Sequence, residues 1–135
     1  MILIDSSVWI PFFNDRNSGA AEFVEKLLLA GQATCINIVV EMEILQGIRD
    51  ERSFHLTKNC LKDFQYYPVF GREYYDLAVS IFRACRKRGI TIRRSLDCLI
   101  ASNALINGLT VAHQDRDFEQ IKKVFPELST IKVKK

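Results

Sequence analysis

The sequence contains no apolar run approaching the roughly 20 residues that a membrane-spanning helix needs, so no such helix is expected. A secretory leader is missing as well: Met1 leads straight into a short apolar stretch that ends in an acid, Asp5, with no basic segment and no small-residue cleavage site. The expectation is a cytoplasmic protein whose first residues belong to the fold. Cysteine and histidine are scarce. The four cysteines (Cys35, Cys60, Cys85, Cys98) are scattered without a C-x-x-C pair, and His55 and His113 lie close to none of them. A zinc site needs closely spaced ligand pairs. Zinc and disulfides therefore drop out, and buried free thiols in a reducing compartment are expected.

Linkers are absent too. Six glycines and three prolines form no Pro/Gly/Ser-rich tract, and no repeat or low-complexity segment breaks the chain. A length of 135 residues is ordinary for one hydrophobic core, so residues 1–135 are read as a single domain. One local absence is more informative. Between Leu77 and Leu96 there is no acid, yet Arg83, Arg86, Lys87, Arg88, Arg93 and Arg94 all fall there. Such a run is most often a solvated helix face, but this one leads directly into Asp97.

What is present is an alternation of strand and helix signals. Ile2 to Ile4 is a short continuous apolar run, the mark of a buried strand. Residues 18–30 carry Ala20, Val24, Leu27 and Leu28 on one face, with Gly31 as a stop. Thr34 to Ile36 reads as a second strand, and Asn37 as the N-cap of a helix to about Gly47. A weaker helix over residues 51–63 precedes a strand, Tyr66 to Phe70, which Pro68 confines to an edge. The clearest helix has Tyr74, Leu77, Ala78, Ile81, Phe82 and Cys85 at i, i+3, i+4 spacing and is closed by Gly89. Ser95 then caps a helix to Asn107, which Gly108 ends. Leu109 to Ala112 is a strand, 117–124 a helix and Ser129 to Val133 a last strand. The pattern predicts an α/β fold whose mainly parallel sheet of four or five strands is covered by helices on both faces.

Ligand sites in such sheets lie beyond the carboxyl ends of the strands, and acids stand there. Asp5 ends the first strand, and Asp115 follows the strand Leu109 to Ala112. Asp97 falls in the first turn of a helix, where a carboxylate also has a plain role against the helix dipole. Glu41 and Glu43 differ by about 200° around their helix, so at most one of them faces the centre. Like charges gathered within a few ångströms raise one another's pKa. A hard divalent cation with oxygen ligands offsets that repulsion. Four acids drawn into a site would leave twelve acids against nineteen basic residues elsewhere. An acidic centre in a basic surround suits a phosphodiester backbone.

In this order and spacing, four stretches resemble the PIN domain, and specifically the VapC-type toxins of toxin–antitoxin pairs. They are Ile2-Leu-Ile-Asp-Ser-Ser-Val-Trp-Ile10, Glu43-Ile-Leu-Gln-Gly47, Ser95-Leu-Asp-Cys-Leu-Ile-Ala101 and His113-Gln-Asp-Arg-Asp-Phe118. The resemblance places the family's acids on Asp5, Glu43, Asp97 and Asp115, and so selects Glu43 over Glu41. It implies a Mg²⁺- or Mn²⁺-dependent endoribonuclease that cuts tRNA or ribosomal RNA through a metal-activated water. A small VapB-like antitoxin as partner and a homodimer are further implications. Asp5 and Asp97 would bind the principal metal, with Glu43 and Asp115 completing the cluster. Ser7 would bond a metal-bound water or a phosphate, and Asp117 would support or cap. Arg93 and Arg94 are candidates for contacts to the RNA backbone. Asn37 and Val40 depart from the family's usual hydroxyl residues. Trp9, Phe12 and Phe13 read as core packing, the alternative being a groove for an antitoxin helix. A receiver domain would need an aspartate after the third strand, where Tyr67-Pro-Val-Phe-Gly71 has none. A haloacid-type phosphatase would need one at Ser7. The serious alternative is a non-cleaving nucleic-acid-binding module that works with a DNA-binding partner.

Overall fold

A computed structural model describes all residues from Met1 to Lys135. The element order is β1 (Ile2–Ile4), α1 (Ser6–Asn14), α2 (Gly19–Leu29), β2 (Thr34–Asn37), α3 (Ile38–Gln46), α4 (Glu51–Leu61), β3 (Gln65–Tyr67), α5 (Arg72–Lys87), α6 (Ser95–Asn107), β4 (Thr110–His113), α7 (Arg116–Val124) and β5 (Ser129–Lys132). The five strands form one sheet in the order β3-β2-β1-β4-β5, and every neighbouring pair is parallel.

The order fixes where a site can form. From β1 the chain winds outward through β2 to β3, then returns through α5 and α6 to the other side of β1. Right-handed crossovers place helices of opposite winding direction on opposite faces of the sheet. Accordingly α1 packs on α2 and α3, and α3 on α4, while α5, α6 and α7 pack on one another. The winding reverses between β1 and β4, where connecting loops diverge and leave a crevice. The strands that flank it, β1 and β4, are buried along nearly their whole length.

Three details depart from the sequence reading. Helix α1 was not foreseen; it begins immediately after Asp5, which caps it, and accommodates Pro11 in its interior. Strand β3 stops before Pro68, because a proline has no N–H to give to the ladder. The N-cap of α6 is Arg94 and not Ser95, which is the first helical residue. Trp9 is completely buried and packs against Phe12, Phe13 and Phe64, so it is core. Asn37 does cap α3, through the N–H of Val40, and no helix is long and apolar enough to cross a membrane.

Candidate active site

Two strand ends supply the frame. Asp5 leaves β1 with its N–H donating to the Ala112 carbonyl of β4 at 2.9 Å. Its Oδ2 accepts the Ser7 N–H at 3.0 Å and the Ser7 hydroxyl at 2.6 Å. Ser7 Oγ in turn accepts the Gln114 N–H at 2.9 Å, tying the loop after β1 to the loop after β4. Asp115 repeats the arrangement at the end of β4. Its Oδ1 accepts the Asp117 N–H at 2.9 Å, capping α7, and its own N–H donates to His113 Nδ1 at 3.1 Å. Because Nδ1 of the buried His113 ring accepts, Nε2 carries the proton and donates it to Glu119 at 2.7 Å.

Helices bring the other acids. Asp97, in the first turn of α6, is fully buried. Glu43 projects inward from α3 and accepts the Ser6 hydroxyl at 3.1 Å, whereas Glu41 faces outward and accepts the Tyr66 hydroxyl. The geometry thus separates the two glutamates as their angular spacing requires. Among these acids lies one guanidinium. Arg94 Nη1 is 3.2 Å from Glu43 Oε2, and Nη2 is 3.2 Å from Asp97 Oδ1 and 3.0 Å from Asp115 Oδ2. Buried Asp117 accepts the backbone N–H groups of Arg93 at 3.1 Å and Arg94 at 3.4 Å. Carboxylate oxygens of Asp97, Asp115 and Asp117 lie within 4.8 Å of one another.

Of the four acids sequence reading singled out, Glu43, Asp97 and Asp115 meet on Arg94, Asp5 is near enough to act on Asp97 and Glu43, and Asp117 joins Asp97 and Asp115. Ser7 and Arg94 are engaged differently from expectation. The Ser7 hydroxyl proton is already given to Asp5, so the side chain holds that carboxylate in place. Arg94 turns inward onto the acids, while Arg93 sits at the rim, 59% exposed and 3.5 Å from Asp115 Oδ1. The Ser6–Glu43 bond left no sequence signal, since it joins segments that only folding brings together. The His113 support behind Asp115 is local, two residues along the chain, but has no recognisable motif of its own.

The electrostatics are those of an acid centre short of positive charge. Burial, reinforced by Asp5, pushes the Asp97 carboxyl up to about 9. Burial likewise raises Asp5 against the opposing Ser7 hydrogen bonds, and raises Glu43 with Asp5 adding to it. Asp115 goes the other way. Burial pulls it upward too, but the Asp117 N–H and the Arg94 guanidinium together hold it below the usual carboxylate range. Three buried oxygens, Asp5 Oδ1, Asp97 Oδ2 and Asp117 Oδ1, have no hydrogen-bond partner.

The family model of the PIN domain matches residues 2–124, a span that holds all five acids. The chain belongs to the PIN-domain family. Among curated proteins, this PIN domain is 35% identical over 127 residues to VapC ribonuclease Mb1587 of Mycobacterium bovis, covering 92% of the chain and 93% of the relative. The figures are the same for ribonuclease VapC11 of Mycobacterium tuberculosis. Among solved structures, VapBC2 from Rickettsia felis, bound to a DNA fragment from its promoter, superposes with a TM-score of 0.77 at 17% identity over 98% of both chains. FitAcB from Neisseria gonorrhoeae gives 0.73 at 18% identity over 97% of this chain and 96% of the other. At such identities the structural likeness establishes the PIN fold, and the curated relatives place the chain with the VapC proteins.

Proposed function

We propose that this PIN domain is a divalent-metal-dependent endoribonuclease that acts as the toxin of a VapBC-type pair, with tRNA or ribosomal RNA as substrate. The observation that carries the reading is that Arg94 bridges Glu43, Asp97 and Asp115 where the winding of the sheet reverses, with the Asp5 carboxylate near enough to raise both Asp97 and Glu43. The donor set fits Mg²⁺ or Mn²⁺: it is all oxygen, as hard cations require. Oxygens of Asp5, Asp97 and Asp117 are buried without a hydrogen-bond partner, and a buried acceptor left so costs free energy that a cation would relieve.

Asp5 and Asp97 would hold the principal cation, with Glu43 and Asp115 completing the cluster and Asp117 supporting Asp115 through the cap of α7. When bound, the cation supplies Lewis-acid stabilisation of the phosphate and a water of lowered pKa. The remaining tasks fall to the chain. Ser7 fixes the Asp5 carboxylate, and Ser6 fixes Glu43. His113, held by Glu119, fixes the backbone of Asp115. Arg93, at the rim, is placed to contact the RNA backbone, and Arg94 could do so only after leaving the acids it bridges. The curated relatives are named ribonucleases, and several structural neighbours are toxin–antitoxin complexes. These names support an RNA substrate and a VapB-like antitoxin as partner; a homodimer and a cytoplasmic location complete the reading.

The test is incubation of total cellular RNA with purified protein in Mg²⁺, in Mn²⁺ and in EDTA, beside Asp97→Asn and Asp5→Asn. Discrete fragments that require metal and both aspartates are expected, with the variants retaining the fold. Absence of cleavage by folded, metal-loaded protein free of partner would replace this reading with a nucleic-acid-binding module that serves a DNA-binding partner.

A further inference from the structure

We propose that Arg94 is the resident counter-ion of the acid centre and competes with the divalent cation for the same carboxylates, so that the metal enters only as the guanidinium leaves. The proposal rests on the metal-dependent reading above and adds to it a role for this chain's own arginine. One side chain bridges three acids from three different elements: Glu43 of α3, Asp97 of α6 and Asp115 at the end of β4. Only a planar fork with several donors spans them; a lysine ammonium on its flexible stem could not hold all three in one geometry. The backbone around Arg94 is built for this placement. Its N–H and that of Arg93 are both fixed on Asp117 Oδ2, and its side chain, although it is the N-cap of α6, makes no capping bond.

Occupancy is exclusive on physical grounds. A small hard cation binds carboxylate oxygens at about 2.0–2.1 Å, and a guanidinium already donating to those carboxylates would be forced against it, charge on charge. An exit exists, because the Arg94 side chain is 45% exposed while Asp97 beneath it is completely covered. Once released, the guanidinium stands at the mouth beside Arg93, where a phosphate would arrive. In the metal-free protein the same arginine offsets the repulsion among half-buried and buried carboxylates, which would otherwise destabilise the folded state.

The experiment is calorimetric titration of the protein with Mn²⁺ alone, for wild type, Arg94→Gln, Arg94→Lys and Arg52→Gln, together with thermal unfolding in EDTA and in saturating Mn²⁺. Arg94→Gln is expected to bind Mn²⁺ about tenfold more tightly, a size usual for coupled sites. It should also melt earlier than wild type in EDTA and regain that loss in Mn²⁺. Arg52→Gln, which removes an exposed charge on α4 that pairs with no acid of the cluster, should do neither. Equal or weaker Mn²⁺ binding by folded Arg94→Gln overturns the proposal. If Arg94→Gln fails to fold in EDTA, folding on addition of Mn²⁺ supports it. If it stays unfolded in Mn²⁺ as well, Arg94→Lys decides: tighter Mn²⁺ binding than wild type supports the competition, and unchanged binding overturns it. No step uses RNA, so failure of cleavage leaves this result intact, whereas absence of Mn²⁺ binding in every variant would overturn the metal-dependent reading itself.

Discussion

Ser7 shows how much a single small side chain carries at this site. Its hydroxyl donates to Asp5 and accepts from the Gln114 N–H, so one oxygen ties the acid of β1 to the loop that presents Asp115. Ser7→Ala leaves that N–H without its partner and is expected to destabilise the protein by about 1–3 kcal/mol. It should lower cleavage by about 10- to 100-fold, the usual cost of losing a group that orients a metal ligand. Unfolding in urea and single-turnover cleavage of one RNA check the two effects, and unchanged cleavage would remove the positioning role. The thiols provide a second residue-scale test. Burial pushes Cys98 up to about 12 and Cys35 up to about 11. A raised thiol pKa means a protonated, unreactive sulfur at pH 8, since only the thiolate attacks. Cys85 is buried as well; partial burial and Asp63 raise the Cys60 thiol too, but Cys60 alone is exposed and so within reach of a reagent. Ellman's reagent should therefore titrate one thiol in the native protein, and four after denaturation. The sequence reading predicts that all four thiols are buried, and Cys60, exposed on α4, departs from it. The sequence could not reveal that Arg94 faces inward, because in one dimension it is simply the last member of a basic run.

Elements divide by what makes them legible. Helix α5 was readable because its buried residues Tyr74, Ile81 and Cys85 recur with helical period, and α3 because Asn37 supplies a cap of known type. Helix α1 was not. Its nine residues include Pro11, which breaks the usual pattern, and its aromatic cluster lacks a polar face to give the period away. What stabilises it is tertiary: burial of Val8 and Trp9 and the cap from Asp5. The acid at the end of β1 thus carries two jobs, and reading it only as a site residue hid the helix. Asn37 likewise does more than the cap that was expected of it. Its Nδ2 donates to Asn103 Oδ1 at 3.0 Å, and Asn103 Nδ2 donates to the Pro68 carbonyl at 2.9 Å. This buried chain links β2, α3, α6 and the segment after β3. Asn37→Ala removes a cap worth about 1 kcal/mol and leaves a buried amide carbonyl unpaired, about 1–3 kcal/mol more. A loss of about 2–4 kcal/mol in chemical denaturation is expected. A loss below about 1 kcal/mol would mean that the Asn103 bond contributes nothing beyond what water supplies.

Across the whole molecule, charge is sorted by place. The acids meet where the sheet reverses its winding, and the basic residues of α5 lie beside them on the neighbouring helix pair. Arg83 and Arg86 line a groove of about 350 Å³ with Phe82, Ser95 and Cys98. Its far wall is the first turn of α6, the same turn that delivers Asp97. A strand that crosses the acid centre and runs on along α6 would therefore meet an apolar, partly aromatic groove with two guanidinium groups in its lining. The net charge of +3 conveys none of this, because the total hides the separation. Single-stranded nucleic acid loses affinity with salt by a slope of about 0.7 in log K per neutralised phosphate. If Arg83 and Arg86 each hold a phosphate, replacing both by alanine should weaken RNA binding and reduce that slope by about 1.4. Mn²⁺ affinity should stay at the wild-type value, because neither arginine touches an acid of the cluster. Anisotropy titrations of a labelled RNA over a salt series, with Asp97→Asn as the non-cleaving background, read the slope directly. An unchanged slope would mean that the strand approaches from the side of Arg93 and Arg116 instead, and that the basic face of α5 serves solubility alone.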